Sequence, residues 1–358
     1  MEKAKVMYTI SHIQSCTEYR SKTNMKTKEN NTKKNLIFGI SAIIILSVFI
    51  VIGYKEPYQH NDGNIFNTSY HITYQSGIDY KTDIEKELQK VDASLSMFND
   101  TSIVSRLNKN QEVTLNGYFT TVFNKSQEIS RQTKGDFDIT VAPLVNVWNA
   151  GNKEGTKVAT STVDSIKSFV GYQKIYLING KIIKKDPRIM MDFSAIAKGY
   201  GADVVAMFLQ SKGIKNYIVD IGGKIDAAGK APQKDKMLDR NWCVSIKKPF
   251  SDSLKTNNKQ QIVLKITDTG MATRKNSGTT IDPHSGQPVN NNLLSVTVLG
   301  DNCMTANAYA TSFIVMGMDK AVHFLKRHKE LKAYFIYKGR DNKEYTYMTP
   351  SMHKLIAK

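Results

Sequence analysis

The chain has 358 residues, with 50 Lys+Arg against 32 Asp+Glu for a formal charge of +18, and 41% of it is hydrophobic. That is enough for one large domain or two ordinary ones, and it excludes disorder as the main state as well as collagen-like and low-complexity chains. The lysines are scattered with no aromatic-basic module, against a nucleic-acid binder, and Cys16, Cys243 and Cys303 without a C-x-x-C pair exclude a zinc ribbon and a disulfide scaffold, while leaving a Cys243–Cys303 pair open.

In chain order, residues 1–35 form a basic tail of eight Lys/Arg and three Glu that ends near Lys33-Lys34. Residues 36–54 (LIFGISAIIILSVFIVIGY) then run 19 positions without a charge. As a helix the run would cover about 28 Å, close to a bilayer's hydrocarbon core. This predicts a transmembrane signal anchor, its basic tail in the cytoplasm and the bulk of the chain outside. A cleaved signal peptide is the competing reading, but no small-x-small site follows Gly53 convincingly.

Residues 55–67 read as a linker, and 68–358 as the main domain. Ser69–Tyr74 alternates like a strand. Thr82-x-x-Glu85 has the capping-box spacing ahead of Ile84, Leu88, Val91, Leu95 and Phe98, the clearest amphipathic helix in the chain. A second helix is predicted over about 119–133, before Gly135. Asn179-Gly180 between two apolar runs predicts a type I′ hairpin. Ile189–Phe193 is predicted as a short strand feeding a helix that carries Ile196, Tyr200, Val204 and Met207/Phe208 on one face and stops at Gly213. Further strands are expected at 217–221, 242–246, 262–266, 295–299 and 333–337, and helices at 305–316 (stopped by Gly317) and 320–327. Without a strict βαβ period, the fold class is α+β, with mixed sheets and packed helices in a single large domain.

Four segments hold residues suited to chemistry. Asp192-Phe-Ser-Ala195-Ile-Ala-Lys198-Gly-Tyr-Gly-Ala-Asp203 is a strand-to-helix junction rich in small residues, a place where an anion can meet free backbone N–H groups. Gly135-Asp136-Phe137-Asp138 puts two carboxylates around a ring just past a helix. Asn307 and Thr311 sit at i and i+4, so their oxygens share a helix face. Ile281-Asp282-Pro283-His284-Ser-Gly286 reads as a turn. Taken singly, each also has a plain structural reading: a tightly packed helix start, an Asx turn, ordinary helix surface, a surface turn.

Together and in this order, SYHITY, SLSMFND…SRLN, GDFDITVAPLVNVW, DFSAIAKGYGAD, VDIGG, IDPHSGQP and CMTANAYATSFIVMG resemble the bacterial ApbE family of FAD:protein FMN transferases, from about Thr68 to Tyr347. The resemblance implies an ApbE-like, T-fold-related domain, often anchored outside the cytoplasmic membrane of a bacterium. It implies FAD as substrate, Mg²⁺ as cofactor, and transfer of FMN to a Thr or Ser hydroxyl of a partner in a membrane redox or electron-transport complex, with release of AMP. It places Phe98 against the flavin ring, Asp136, Phe137 and Asp138 along the FAD site, and Asp192 and Lys198 on the cofactor. It assigns the metal to the Ala195 carbonyl with Asn307 and Thr311.

Several positions depart from the family pattern. Asn307 stands for Asp, Lys224 follows Gly222-Gly223 where Glu or Asp is common, Phe98 stands for Tyr and Asn67 for Gly. The loop 274–280 is short, with Thr279 in a His position. These departures set two alternatives beside the transferase: a non-catalytic flavin-binding protein on the same fold, and an FAD pyrophosphatase.

Overall fold

The structure is a computed structural model that describes residues 56–154, 157–232, 241–246 and 261–357, together with Leu36 and Ile40. The predicted basic tail and nearly all of the predicted anchor lie outside the described residues. Among the described residues no helix is long and apolar enough to cross a membrane.

An eight-stranded sheet carries the domain. Its strands, in chain order, are β1 (Tyr58–Ile65), β2 (Thr68–Gln75), β5 (Tyr217–Ile221), β6 (Lys224–Ala228), β9 (Thr269–Lys275), β10 (Leu293–Gly300), β11 (Lys332–Lys338) and β12 (Glu344–Met348), and they lie side by side in that same order. Every neighbouring pair is antiparallel, so the sheet is not mixed in direction. Two ribbons stand apart: β3 (Ile175–Ile178) with β4 (Lys181–Lys184), and β7 (Trp242–Ile246) with β8 (Ile262–Ile266). Alternation in β2 buries Tyr70, Ile72 and Tyr74 on one face, as a period of two requires of a half-buried strand.

Helices α1 (Lys81–Leu95), α2 (Ile103–Asn108), α3 (Gly117–Gln132), α4 (Ala142–Glu154) and α5 (Thr160–Lys167) precede the two central ones, α6 (Ala197–Ser211) and α7 (Cys303–Arg327); α8 (Pro350–His353) closes the chain. The stripe of Ile84, Leu88, Val91 and Leu95 on α1 is buried, each side chain contributing about 1.5–3 kcal/mol. Helix α7 bends at Gly317, whose φ of 73° takes it out of the helical region and accounts for the two predicted helices either side of it. The β7–β8 ribbon covers the other face of the sheet through Trp242, Ile246, Leu264 and Ile266 against Ile225, Met271 and Ile336.

Four expectations change. The predicted linker 55–67 contains β1, paired in register with β2; its polar sequence YQHNDGNI hid an edge strand. Ile189–Phe193 forms no strand, because its backbone is held elsewhere: Met191 N–H donates to Asn108 Oδ1, Asn108 Nδ2 donates to the Met191 carbonyl, and Asp192 N–H donates to the Ile139 carbonyl. The Thr82/Glu85 spacing makes no capping box; Tyr80 is the N-cap without a side-chain bond, and Asp79 accepts from Lys81 N–H instead. Cys243 and Cys303 are both free thiols, one exposed and one buried. The Asn179-Gly180 turn is as predicted, both residues having positive φ (48° and 74°).

Candidate active site

Helices α6 and α7 cross closely because α6 is built of small residues. A Cβ on Gly199 would stand 2.5 Å from the Cys303 carbonyl oxygen and 2.9 Å from Asn307 Cβ. The first turn of α7 is capped within the chain: Asp203 accepts from Cys303 N–H at 2.7 Å and Met304 N–H at 2.9 Å, and Asn302 accepts from Thr305 N–H at 2.8 Å. Helix α6 has no such cap. Its N-cap, Ile196, offers no side-chain bond, and the residues around this open end line a cleft. An uncapped N-terminus leaves donors and positive potential directed at whatever occupies the space before it.

The cleft has two adjoining hollows. One, of about 340 Å³, is bordered by Asp136, Asp192, Ala195, Arg274, Thr280 and Thr311, among others. The second, of about 450 Å³, is bordered by Phe66, Met97, Phe98, Met190 and Lys198. Val145, Asn149, Asp192 and Ser194 belong to both, so a single elongated ligand can occupy the two. Phe98 is 80% exposed at the second hollow, a large ring with little protein against it. One end of the cleft is thus apolar and aromatic and the other polar and charged.

Most of the predicted site residues therefore meet. Phe98 and Lys198 border the second hollow, Asp136, Phe137, Asp138, Ala195 and Thr311 the first, and Asp192 both. Asp138 is committed to the fold: its Oδ1 accepts from the Thr140 N–H and hydroxyl, each at 2.7 Å, and its Oδ2 from Tyr172 N–H at 2.7 Å. Burial pushes the Asp136 carboxyl above the usual range, against the pull of His284 and Lys320. The turn residue His284 comes within 3.2 Å of Asp136 Oδ1 through Nε2, a contact across 148 positions that no local pattern foretold. Asn307 is not on the cleft surface. It is buried behind Gly199, and both its Oδ1 and Nδ2 lack a hydrogen-bond partner.

Arg274, Val145 and Asn149 were missed by the sequence reasoning. For Arg274 a signal existed, a cation two residues after the small and apolar run Gly270–Ala272 near the end of a strand. For α4 there was none, since its residues reach the cleft only through the fold. Arg274 donates to Thr280 Oγ1 at 3.1 Å, and Lys224 donates through Nζ to the Thr273 carbonyl at 2.6 Å. Burial lowers the pKa of both Lys198 and Arg274, and lowers that of Lys224 to about 8.

The residues predicted for magnesium do not fit that ion. The Ala195 carbonyl, Asn307 Oδ1 and Thr311 Oγ1 are neutral oxygens, whereas Mg²⁺ is usually held by one or two carboxylates. Among the described residues no group of three His, Cys, Asp or Glu side chains is placed to hold a metal.

Behind this junction burial raises both Asp203 and Asp226, the latter to about 6. Between about pH 4 and 6 the folded chain keeps a proton on Asp226 that the unfolded chain, with its carboxyl near 3.9, has released. The native state then binds more protons, so stability falls as pH rises through this window. Asp226→Asn is expected to flatten that fall and to raise stability at pH 7.5 by about 2 kcal/mol, measured as melting temperature against pH.

Fold and cleft together define a domain with room for an elongated ligand between an exposed aromatic ring and a charged lining. The chain belongs to the ApbE family, whose sequence model matches residues 66–335. It is similar to the FAD:protein FMN transferase of Vibrio cholerae, 32% identical over 311 residues that cover 78% of this chain and 88% of that one. It is also similar to the FAD:protein FMN transferase of Haemophilus influenzae, 30% identical over 331 residues, 85% of this chain and 93% of that one. The solved structure of the flavin transferase ApbE from Vibrio cholerae matches with a TM-score of 0.73 and 29% identity, over 84% of this chain and all of that one (100%).

Proposed function

We propose that the chain is an FAD:protein FMN transferase. The observation that carries this reading is the paired cleft, an aromatic hollow at Phe98 joined through Asp192 to a charged one at Arg274. The isoalloxazine ring lies on Phe98 and Met97, and the pyrophosphate lies before the open end of α6, near Lys198 and Arg274. A Thr or Ser hydroxyl oxygen of the acceptor protein attacks the phosphorus of the FMN half. The bond from that phosphorus to the bridging oxygen breaks, AMP leaves with the bridging oxygen, and the hydroxyl proton passes to a base. Asp136 is that base, its carboxylate bordering the cleft and oriented by His284. The side chains bind, orient and neutralise charge as it builds on the phosphoryl oxygens. No divalent ion is invoked, since the oxygens at Ala195, Asn307 and Thr311 carry no charge.

The same reading places the domain outside a bacterial cytoplasmic membrane, anchored by residues 36–54, with an acceptor in a membrane redox complex. Its support is the 19-residue uncharged run preceded by Lys33 and Lys34. External protease that trims the domain from intact spheroplasts supports this placement, and full protection overturns it.

Incubation with FAD and an acceptor domain is expected to add the mass of one FMN covalently and to release one AMP. FAD consumed equally without the acceptor would identify a pyrophosphatase, and FAD bound but unchanged a flavin-binding protein; either overturns the transfer. Phe98→Ala is expected to weaken FAD binding about tenfold, in line with the loss of one aromatic stacking contact, with an unchanged melting temperature because the ring is exposed.

A further inference from the structure

We infer that the acceptor protein docks by strand addition: an extended segment of it pairs with the open edge of β3, in the groove between that strand and α3, and so brings its Thr or Ser hydroxyl to Asp136. The inference rests on the flavin-transfer reading above, which requires a protein partner to enter the cleft. The groove has a volume of about 670 Å³. Its walls are α3, from Thr121 to Arg131, and β3, whose four residues Ile175 to Ile178 all border it. Successive residues of a strand point to opposite faces. Four in a row on one hollow, with none from β4, mean that the edge of β3 looks into the groove rather than a face of the ribbon.

Part of the backbone at this edge is unpaired. β3 and β4 join through the Asn179-Gly180 turn with Ile178 opposite Lys181 and Tyr176 opposite Ile183, and Lys185 N–H donates to the Lys174 carbonyl. Alternate residues of an antiparallel pair turn their N–H and C=O to the partner strand. Lys174, Tyr176 and Ile178 therefore face β4, while Ile175 and Leu177 face the groove. The Ile175 carbonyl is met there by Gln127 Nε2, which also donates to the Tyr172 carbonyl. Among the described residues no hydrogen bond uses the N–H or C=O of Leu177. The edge is apolar as well, with Tyr176 37% and Ile178 50% exposed. An edge that is neither polar nor covered is a template for another chain, and strand addition is a recurring way to hold an extended peptide.

Charge and direction select the occupant. Lys125 and Glu128 on the α3 wall pair with each other at 2.6 Å, whereas Arg131, exposed on the same wall, makes no ion pair among the described residues. An acidic side chain on the visiting segment would complete it. The two walls meet at the end nearest the proposed base. Gln127 ties α3 to Tyr172 and Ile175. Past the end of α3, a Cβ on Gly135 would stand 3.5 Å from the Tyr172 ring and 3.2 Å from His284 Cε1, and Asp136 is the next residue. Tyr172 precedes Leu177 by five positions, within about 17 Å even if fully extended. A segment paired at Leu177 therefore reaches Asp136 with a hydroxyl about five residues further on.

Flavin transfer by the full chain to an acceptor domain, followed at varied acceptor concentration, tests this. Ile178→Asp and Arg131→Glu are each expected to raise KM for the acceptor about tenfold. Both should leave kcat and the affinity for FAD unchanged within about twofold, the pattern of binding lost equally from ground and transition states; a merely structural effect would lower kcat and the melting temperature instead. With an acceptor domain whose Thr is replaced by Val, deuterium exchange at Leu177 N–H is expected to slow at least about tenfold, while amides on the outer edge of β1 keep their rates. An unchanged KM in both variants, or an unprotected Leu177 amide, overturns docking at β3 and leaves flavin transfer standing. Protection that grows with the concentration of the chain alone assigns the groove to a second copy and overturns the acceptor as its occupant. Protection by the acceptor domain without FMN transfer to the unaltered domain keeps the docking surface and overturns the flavin reading, and absence of both overturns both.

Discussion

Gly199→Ala is expected to destabilise the domain by about 2–3 kcal/mol and to abolish measurable nucleotide binding. Alanine in place of glycine inside a helix normally gains about 1 kcal/mol, so the sign of the change is diagnostic. Here the added methyl would stand 2.5 Å from the Cys303 carbonyl oxygen and 2.9 Å from Asn307 Cβ. Backbone cannot move aside as a flexible side chain can, and overpacking of this kind costs about 1–3 kcal/mol or more. The two central helices must separate, and the separation falls on Asn307 and on the Lys198 end of α6. Thermal unfolding and FAD titration check the two effects together. A rise in melting temperature would show that α6 and α7 do not approach as closely as described.

The second large effect is expected from Asp203→Ala. This carboxylate holds two N–H groups of the first turn of α7, and both are buried. Without it each donor is left unbonded, at about 1–3 kcal/mol apiece. Relief of the charge beside Asp226 offsets part of this, giving a net loss of about 3 kcal/mol. Asp203→Asn keeps one acceptor oxygen and is expected to lose about half as much. Denaturant unfolding of the pair of variants separates lost hydrogen bonding from lost charge, because the asparagine variant removes the charge without removing both acceptors.

The parts of this fold legible in the sequence are those where local chemistry and tertiary demand coincide. The stripe on α1, the Asn179-Gly180 hairpin and the break at Gly317 each follow from a few neighbouring residues, and they stand where the pattern puts them. β1 was not legible, because its polar residues suit an edge that only the register with Ser69–Tyr74 reveals. Ile189–Phe193 has the composition of a strand but lies in a segment whose bonds are made by Asn108 and Ile139. In the site, Phe98, Asp136, Asp192 and Lys198, which the resemblance puts on the cofactor, border one cleft. The resemblance could not tell that Asp138 is spent on Thr140 and Tyr172, nor that His284 reaches Asp136, since both facts are set by chain segments far apart in sequence. The neighbourhood of Lys224 and Arg274 was also hidden. Lys224 and Arg274 look like isolated surface charges until β6 and β9 pair.

The outer border of the sheet has a consequence for crowding. β1 presents one side of its backbone at the rim, and Tyr58–Ile65 carries His60, Asp62 and Asn64 there, with Gly63 among them. A rim so polar and so interrupted is a poor template for strand addition. Neighbouring copies of the domain would therefore remain separate bodies rather than zip into a continuous β-structure, leaving each cleft accessible to a protein visitor.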